Sequence, residues 1–204
     1  MKVIYPPRPT GKISPKQLPF LEKQGIYLAQ RKFRGSRNLV HRSASGEITL
    51  YSRHGRKHLT YKMPATLKKQ LSALKFEHGK EYWLDSELMH PRIPDVVILF
   101  DVLHAGQYLY GVSQQERLDM LAGICSNPTA PSEPEIALRV SEHVWMAECF
   151  TSGFAARYTE ALDNELIEGL VLRETQSVLD NFGASEYEVG WQLRVRKQGP
   201  NYQL

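Results

Sequence analysis

The amino-acid sequence predicts an α+β domain. Strand-like apolar runs recur at Ile26-Tyr27-Leu28-Ala29, around residues 38–53, and over 82–103. Two segments, Pro64 to Leu74 and Gln114 to Ile124, instead place leucines at helical spacing. A turn, Ser43-Ala44-Ser45-Gly46, joins two of the strand-like runs into a hairpin. Hairpins mixed with helices argue against a doubly wound parallel sheet.

At 204 residues, with 42% hydrophobic and 24% charged, the chain can bury a full core. We divide it into a segment over 1–24 and one domain over 25–204. A formal charge of +4 permits a nucleic-acid partner without demanding one. No run approaches the ~18 apolar residues of a membrane span, and the N-terminus lacks the apolar core of a signal peptide. Cys125 and Cys149 form neither a metal spacing nor a disulfide framework. The expectation is a soluble protein of a reducing compartment, cytoplasmic or nucleoid-associated, with no membrane partner.

In chain order, Pro6, Pro7, Pro9, Pro15 and Pro19 favour an extended segment lying over the domain rather than a regular element. The run from Ile26 then delivers Lys32. Gly35 to Arg53 reads as a hairpin with strands at Asn38-Leu39-Val40-His41 and from Ile48 to Arg53. Leu67, Leu71 and Leu74 form the apolar face of an amphipathic helix, with Lys68 and Lys69 on its solvated side. Tyr82 to Leu88 and Val96 to Leu103 are strands joined by the short link Met89 to Pro94. Gln107 to Gly111 gives a turn and a short strand, and Gln114 to Ile124 a helix packed through Leu118 and Leu121. Ser126 to Glu135, with Pro128, Pro131 and Pro134, is a loop, and Ile136 to Val140 a strand. Val144 to Leu166 is expected to be largely helical, interrupted near Gly153.

The run Lys32-Phe33-Arg34-Gly35-Ser36-Arg37 suits a backbone that approaches a phosphate closely beside a reactive amine. Alone it is weak, since a solvated strand end reads the same way. Its order with four further motifs is more specific: Leu84-Asp85-Ser86-Glu87-Leu88, Leu99-Phe100-Asp101-Val102-Leu103, Glu168-Gly169-Leu170-Val171-Leu172-Arg173, and Trp191-Gln192-Leu193-Arg194-Val195-Arg196-Lys197. In that order they resemble the covalent nucleotidyltransferases: ATP-dependent DNA and RNA ligases and the mRNA capping guanylyltransferases. Tyr51-Ser52-Arg53-His54-Gly55-Arg56, through Leu59-Thr60 and Pro64, is most similar to the DNA ligase branch.

The resemblance implies the ligase and capping-enzyme fold, mixed and antiparallel sheets flanked by helices. It also implies ATP and Mg²⁺ or Mn²⁺ as cofactors. Lys32 would be the nucleophile that takes AMP from ATP, passes it to a 5′ phosphate of nicked DNA or RNA, and so allows a 3′ hydroxyl to seal the nick. An amine attacking phosphorus has to be neutral, which neighbouring positive charge favours. Arg37 and Arg53 would hold the ribose and phosphates, guanidinium forks suiting both. Glu87 would hold the ribose hydroxyl or a metal, and Glu168 the metal beside the α-phosphate. Phe100 would stack on the purine, with a core phenylalanine as the plain alternative. Arg173, Arg194 and Arg196 would bind the nucleotide, the last two from one face of a strand.

This sequence departs from the pattern in four respects. Arg34 stands where DNA ligases have Asp or Asn, and Arg173, Arg194 and Arg196 stand where lysines are usual. Arginine keeps charge and donors but cannot donate a proton at neutral pH. The link from Met89 to Pro94 is short, as in capping enzymes and some RNA ligases. The sequence ends at Leu204, and no C-terminal oligonucleotide-binding (OB) barrel is expected within these residues. A separate or deleted OB-fold domain, or a minimal enzyme, fits that ending, and a monomer is expected. A capping-type guanylyltransferase, or a binding module that has lost catalysis, is the alternative.

Overall fold

The computed structural model describes residues 3–58, 60–180 and 185–197. Met1 and Lys2 of the N-terminal segment, Leu59 of the ligase-like stretch, and Leu204 lie outside them. In order, the elements are β1 (Pro7–Lys12), a 3₁₀ turn (Pro15–Gln17), α1 (Leu18–Lys23), β2 (Tyr27–Phe33), β3 (Ser36–Arg42), β4 (Ile48–Ser52), α2 (Ala65–Ser72), β5 (Tyr82–Leu88) and β6 (Val97–Ala105). There follow α3 (Gln114–Ile124), β7 (Leu138–Arg139), β8 (Val144–Met146), β9 (Cys149–Phe150), α4 (Phe154–Leu162), β10 (Ile167–Glu174) and β11 (Tyr187–Arg196).

These strands form two sheets, β1-β11-β10-β2-β9 and β4-β3-β5-β6-β8-β7, each with parallel and antiparallel pairs. The architecture is therefore α+β, as the hairpin pattern predicts. The second sheet packs its apolar face on Leu67 and Leu71 of α2 and Leu121 and Ile124 of α3. The first packs Ala29, Leu170, Leu172 and Val195 on Leu18 and Leu21 of α1 and Phe154 and Tyr158 of α4. Helix α3 starts with Ser113 and Glu116 capping each other's backbone N–H groups. Glu22 of α1 accepts from the N–H groups of Gly153 and Phe154, at 2.9 and 2.8 Å, at the start of α4.

Three expectations are corrected. Residues 7–24 are not an extended cover: they supply a strand, a 3₁₀ turn and a helix. β1 lies at a sheet edge, where a proline's missing N–H costs no ladder bond, and Pro15 and Pro19 occupy first-turn positions that prolines tolerate. The stretch from Val144 to Leu166 is helical only in α4. Val144 and Trp145 are instead buried as β8 beside β6, and Gly153, at φ +73°, starts the helix late. Finally, Ile136 to Val140 shortens to Leu138–Arg139, because the Ser132 hydroxyl accepts the N–H groups of Ile136 and Ala137.

Candidate active site

The chain crosses from one sheet to the other between β2 and β3, through Arg34 and Gly35. A Cβ at Gly35 would stand 2.5 Å from the Leu88 carbonyl oxygen and 2.8 Å from Glu87 Cγ. Only glycine lets the crossing run this close to β5. Its N–H donates to Glu87 Oε1 at 3.0 Å. Lys32 is the penultimate residue of β2 on one side of the crossing, and Arg37 the second residue of β3 on the other.

Between the two sheets lies a cavity of about 530 Å³, and every residue singled out in the sequence lines it: Lys32, Arg37, Arg53, Glu87, Phe100, Glu168, Arg173, Arg194 and Arg196. The Lys32 amine forms an ion pair with Glu168. Arg196 Nε is 3.7 Å from the same carboxylate oxygen. Glu168 precedes Gly169, whose φ is +141° and whose absent Cβ would meet the Val195 carbonyl oxygen at 2.0 Å. That glycine lets β10 close on β11, and it pairs in register with Lys32 on β2 and Arg196 on β11. One backbone position thus brings the Lys32 amine, the Glu168 carboxylate and the Arg196 guanidinium together.

Under the cavity lie two aspartates whose roles the sequence does not disclose. Asp85 and Asp101 sit opposite each other on β5 and β6 and are each 1% exposed. Two like charges at such a position are tolerable only when paired. Arg37 takes Asp85 in an ion pair and also donates to the Pro7 carbonyl at 2.9 Å. Arg117, brought by α3 and itself buried, donates to both Asp101 oxygens at 3.0 and 3.1 Å. Arg173 approaches Asp101 at 3.9 Å and donates to the Phe100 carbonyl at 3.2 Å. Burial holds the Arg173 guanidinium below its ordinary range, with Asp101 acting the other way. The Phe100 ring has the Arg37 and Arg173 guanidinium carbons 5.8 and 5.3 Å from its centroid. It therefore belongs both to the core and to the cavity wall.

Burial pushes Glu87 up to about 7, against the pull of Lys32 and Arg37. Burial likewise raises Asp85, with Arg37 opposing. Arg8, Arg31, Gln30, His54 and His58 also line the cavity and are missed by the sequence reading. Gln30 and Arg31 lie on β2 just before Lys32 but in no motif, whereas Arg8 of β1 and the two histidines after β4 reach the site only through the tertiary fold. Arg34, by contrast, is exposed, and among the described residues only its N–H is engaged, by the Leu166 carbonyl at 2.8 Å.

Basic side chains predominate over the two acidic ones, Glu87 and Glu168, which suits a polyanion. Arg173 Nε and Gln192 Nε2 are buried with no partner among the described residues, so donors are left for a ligand rich in acceptors. Glu87 and Glu168 offer the hard oxygens that Mg²⁺ prefers. Among the described residues no group of three His, Cys, Asp or Glu could hold a metal alone. An ion completed by substrate phosphates and water fits that donor set.

Residues 14–92 match the sequence family described as ATP dependent DNA ligase domain. No curated protein matches the chain by sequence. Among solved structures, Pmar-Lig_PreS3 superposes with a TM-score of 0.62 at 13% identity, covering 96% of this chain and 47% of its own. Mycobacterial DNA ligase D complexed with ATP and MES gives 0.57 at 18% identity, covering 83% and 54%. The ATP-dependent DNA ligase from bacteriophage T7, in complex with ATP, gives 0.55 at 11% identity, covering 91% and 67%. The chain spans about half the length of the first two. In sequence over 14–92 and in fold over nearly all its length, the chain resembles the nucleotidyltransferase domain of ATP-dependent DNA ligases.

Proposed function

We propose that the chain is the adenylation domain of an ATP-dependent polynucleotide ligase, with Lys32 as the nucleophile. The observation that carries this reading is the Lys32 amine held against Glu168 in a cation-rich cavity between two sheets. Support also comes from the similarity to ligases solved with ATP.

In this reading the Lys32 amine attacks the α-phosphorus of ATP. The ammonium first passes a proton to Glu168, the carboxylate it already contacts, which leaves a neutral amine. As that amine attacks, an N–P bond forms, the P–O bond to pyrophosphate breaks, and the second amine proton leaves with pyrophosphate. Arg194 and Arg196 face the α-phosphate and meet the charge that develops there. Arg37 and Arg53 hold the ribose and afterwards the 5′ phosphate of the nicked strand. Phe100 offers its ring to the purine. Glu87 accepts from the ribose hydroxyl, held in place by the Gly35 N–H. Mg²⁺ or Mn²⁺ at Glu168 and Glu87 would supply charge neutralisation of the phosphates.

Incubation with labelled ATP and, separately, labelled GTP tests the nucleotide. Label on the protein from ATP, chased onto a nicked duplex and released as the nick closes, is the expected result. Label from GTP alone would replace this reading with a capping-type guanylyltransferase. DNA and RNA on the 3′ side of the nick separate the two ligase classes.

A further inference from the structure

His58 lines the same cavity as Lys32, yet the scheme above gives it no task. Its ring is fixed by a closed hydrogen-bond network. The Ser86 hydroxyl donates to the Asn38 carbonyl at 2.9 Å, so its oxygen can only accept from the Asn38 side-chain amide, also at 2.9 Å. The Asn38 amide nitrogen therefore faces Ser86, and its oxygen faces His58 Nε2 at 2.9 Å. An amide oxygen cannot donate, so Nε2 carries the hydrogen. Asn38 and Ser86 are fully buried, on β3 and β5, which makes this a rigid support. Burial lowers the His58 pKa, which favours the neutral ring. What remains is Nδ1, a lone pair with no partner among the described residues. Tyr61 meets only the ring edge, with centroids 6.3 Å apart.

Resting on the ligase reading above, we infer that His58 Nδ1 is the proton acceptor for the 3′ hydroxyl in the sealing step. Of the three transfers, only this one still lacks a base. Glu168 serves the Lys32 amine, and the 5′ phosphate that takes up AMP is already an anion. The other titratable groups of the cavity are engaged. Glu87 Oε1 accepts from the Gly35 N–H, and the scheme above commits this carboxyl to the ribose hydroxyl. His54 has Glu186 at Nδ1, 2.6 Å away, and accepts from Arg53 at Nε2 at 3.1 Å. In the sealing step the hydroxyl O–H bond breaks and its proton goes to Nδ1. The oxygen forms the new bond to the 5′ phosphorus, and AMP leaves with the electron pair of the P–O bond. His58 thereby becomes an imidazolium, still donating through Nε2 to Asn38.

The test uses a nick whose 5′ phosphate already carries AMP, so that sealing is measured without lysine adenylation. His58→Ala should slow single-turnover sealing by roughly 100-fold or more, the range for loss of a general base, and added imidazole should restore part of it. His58→Gln retains a donor for Asn38 but cannot take a proton, so it should stay as slow as the alanine variant. Sealing by His58→Gln within about twofold of wild type would reduce His58 to a positioning role and overturn the inference. So would loss of sealing by His58→Ala that imidazole does not relieve, or a wild-type chain that does not seal this nick. Lysine adenylation is scored separately by protein mass. Its failure would strike the ligase reading itself, whereas intact adenylation with unaffected sealing would strike only the role of His58.

Discussion

Glu87 and Glu168 are both carboxylates on the cavity wall, but their surroundings differ. Glu168 meets a lysine directly, whereas Glu87 is held by one backbone N–H and raised to about 7 by burial. A carboxyl raised on folding keeps its proton in the folded state between its ordinary range and about 7. Its contribution to stability is thus present at low pH and lost as pH rises through about 7. Urea unfolding of Glu87→Gln should therefore show a midpoint that gains on wild type from pH 5 to pH 8. An unchanged difference between the two pH values would count against this assignment. The sequence points to Glu87, which stands in a motif and lines the cavity, but not to its protonation. Asp85 and Asp101 stand in the same motifs, and their task is invisible because it depends on a cross-strand neighbour and on Arg117, carried by a distant helix.

Elements here are set by how closely strands can approach. β10 and β11 lie against each other at Gly169, where any side chain would strike the Val195 carbonyl. Gly169→Ala should cost ~2 kcal/mol or more, combining the φ penalty with the clash. It should also weaken adenylation, because Glu168 and Arg196 are displaced together. A urea midpoint equal to wild type would show that β11 yields without cost. Elements with a strong local signal were legible: β5 and α3 fall where the apolar run and the leucine spacing put them. β1 was not, because an edge strand hides its identity behind prolines that would disqualify a central one. β8 was not, because three residues are too few for a period, and their burial against β6 decides the outcome.

At the scale of the molecule, positive charge is gathered rather than spread. The whole chain carries +4, yet the cavity alone has Arg8, Arg31, Lys32, Arg37, Arg53, Arg173, Arg194 and Arg196 against Glu87 and Glu168. The cavity takes one wall from each sheet, so a bound polyphosphate would tie the two together. A non-hydrolysable ATP analogue at about 100 times its dissociation constant should raise the unfolding free energy by about 2.7 kcal/mol. Absence of any shift at saturating analogue would contradict the placement of the nucleotide. That all the residues chosen from the sequence line one cavity shows how much of the site the motif order contains. What it omits, His58 above all, comes from segments that reach the cavity only once the sheets have formed.

The most direct measurement is the mass of the intact protein after incubation with ATP and Mg²⁺ or Mn²⁺, followed by peptide mapping. The account predicts a gain of one AMP, located on Lys32 and absent from Lys32→Ala. AMP attached to another residue, or no gain with either metal from a chain that still binds the nucleotide, would contradict it.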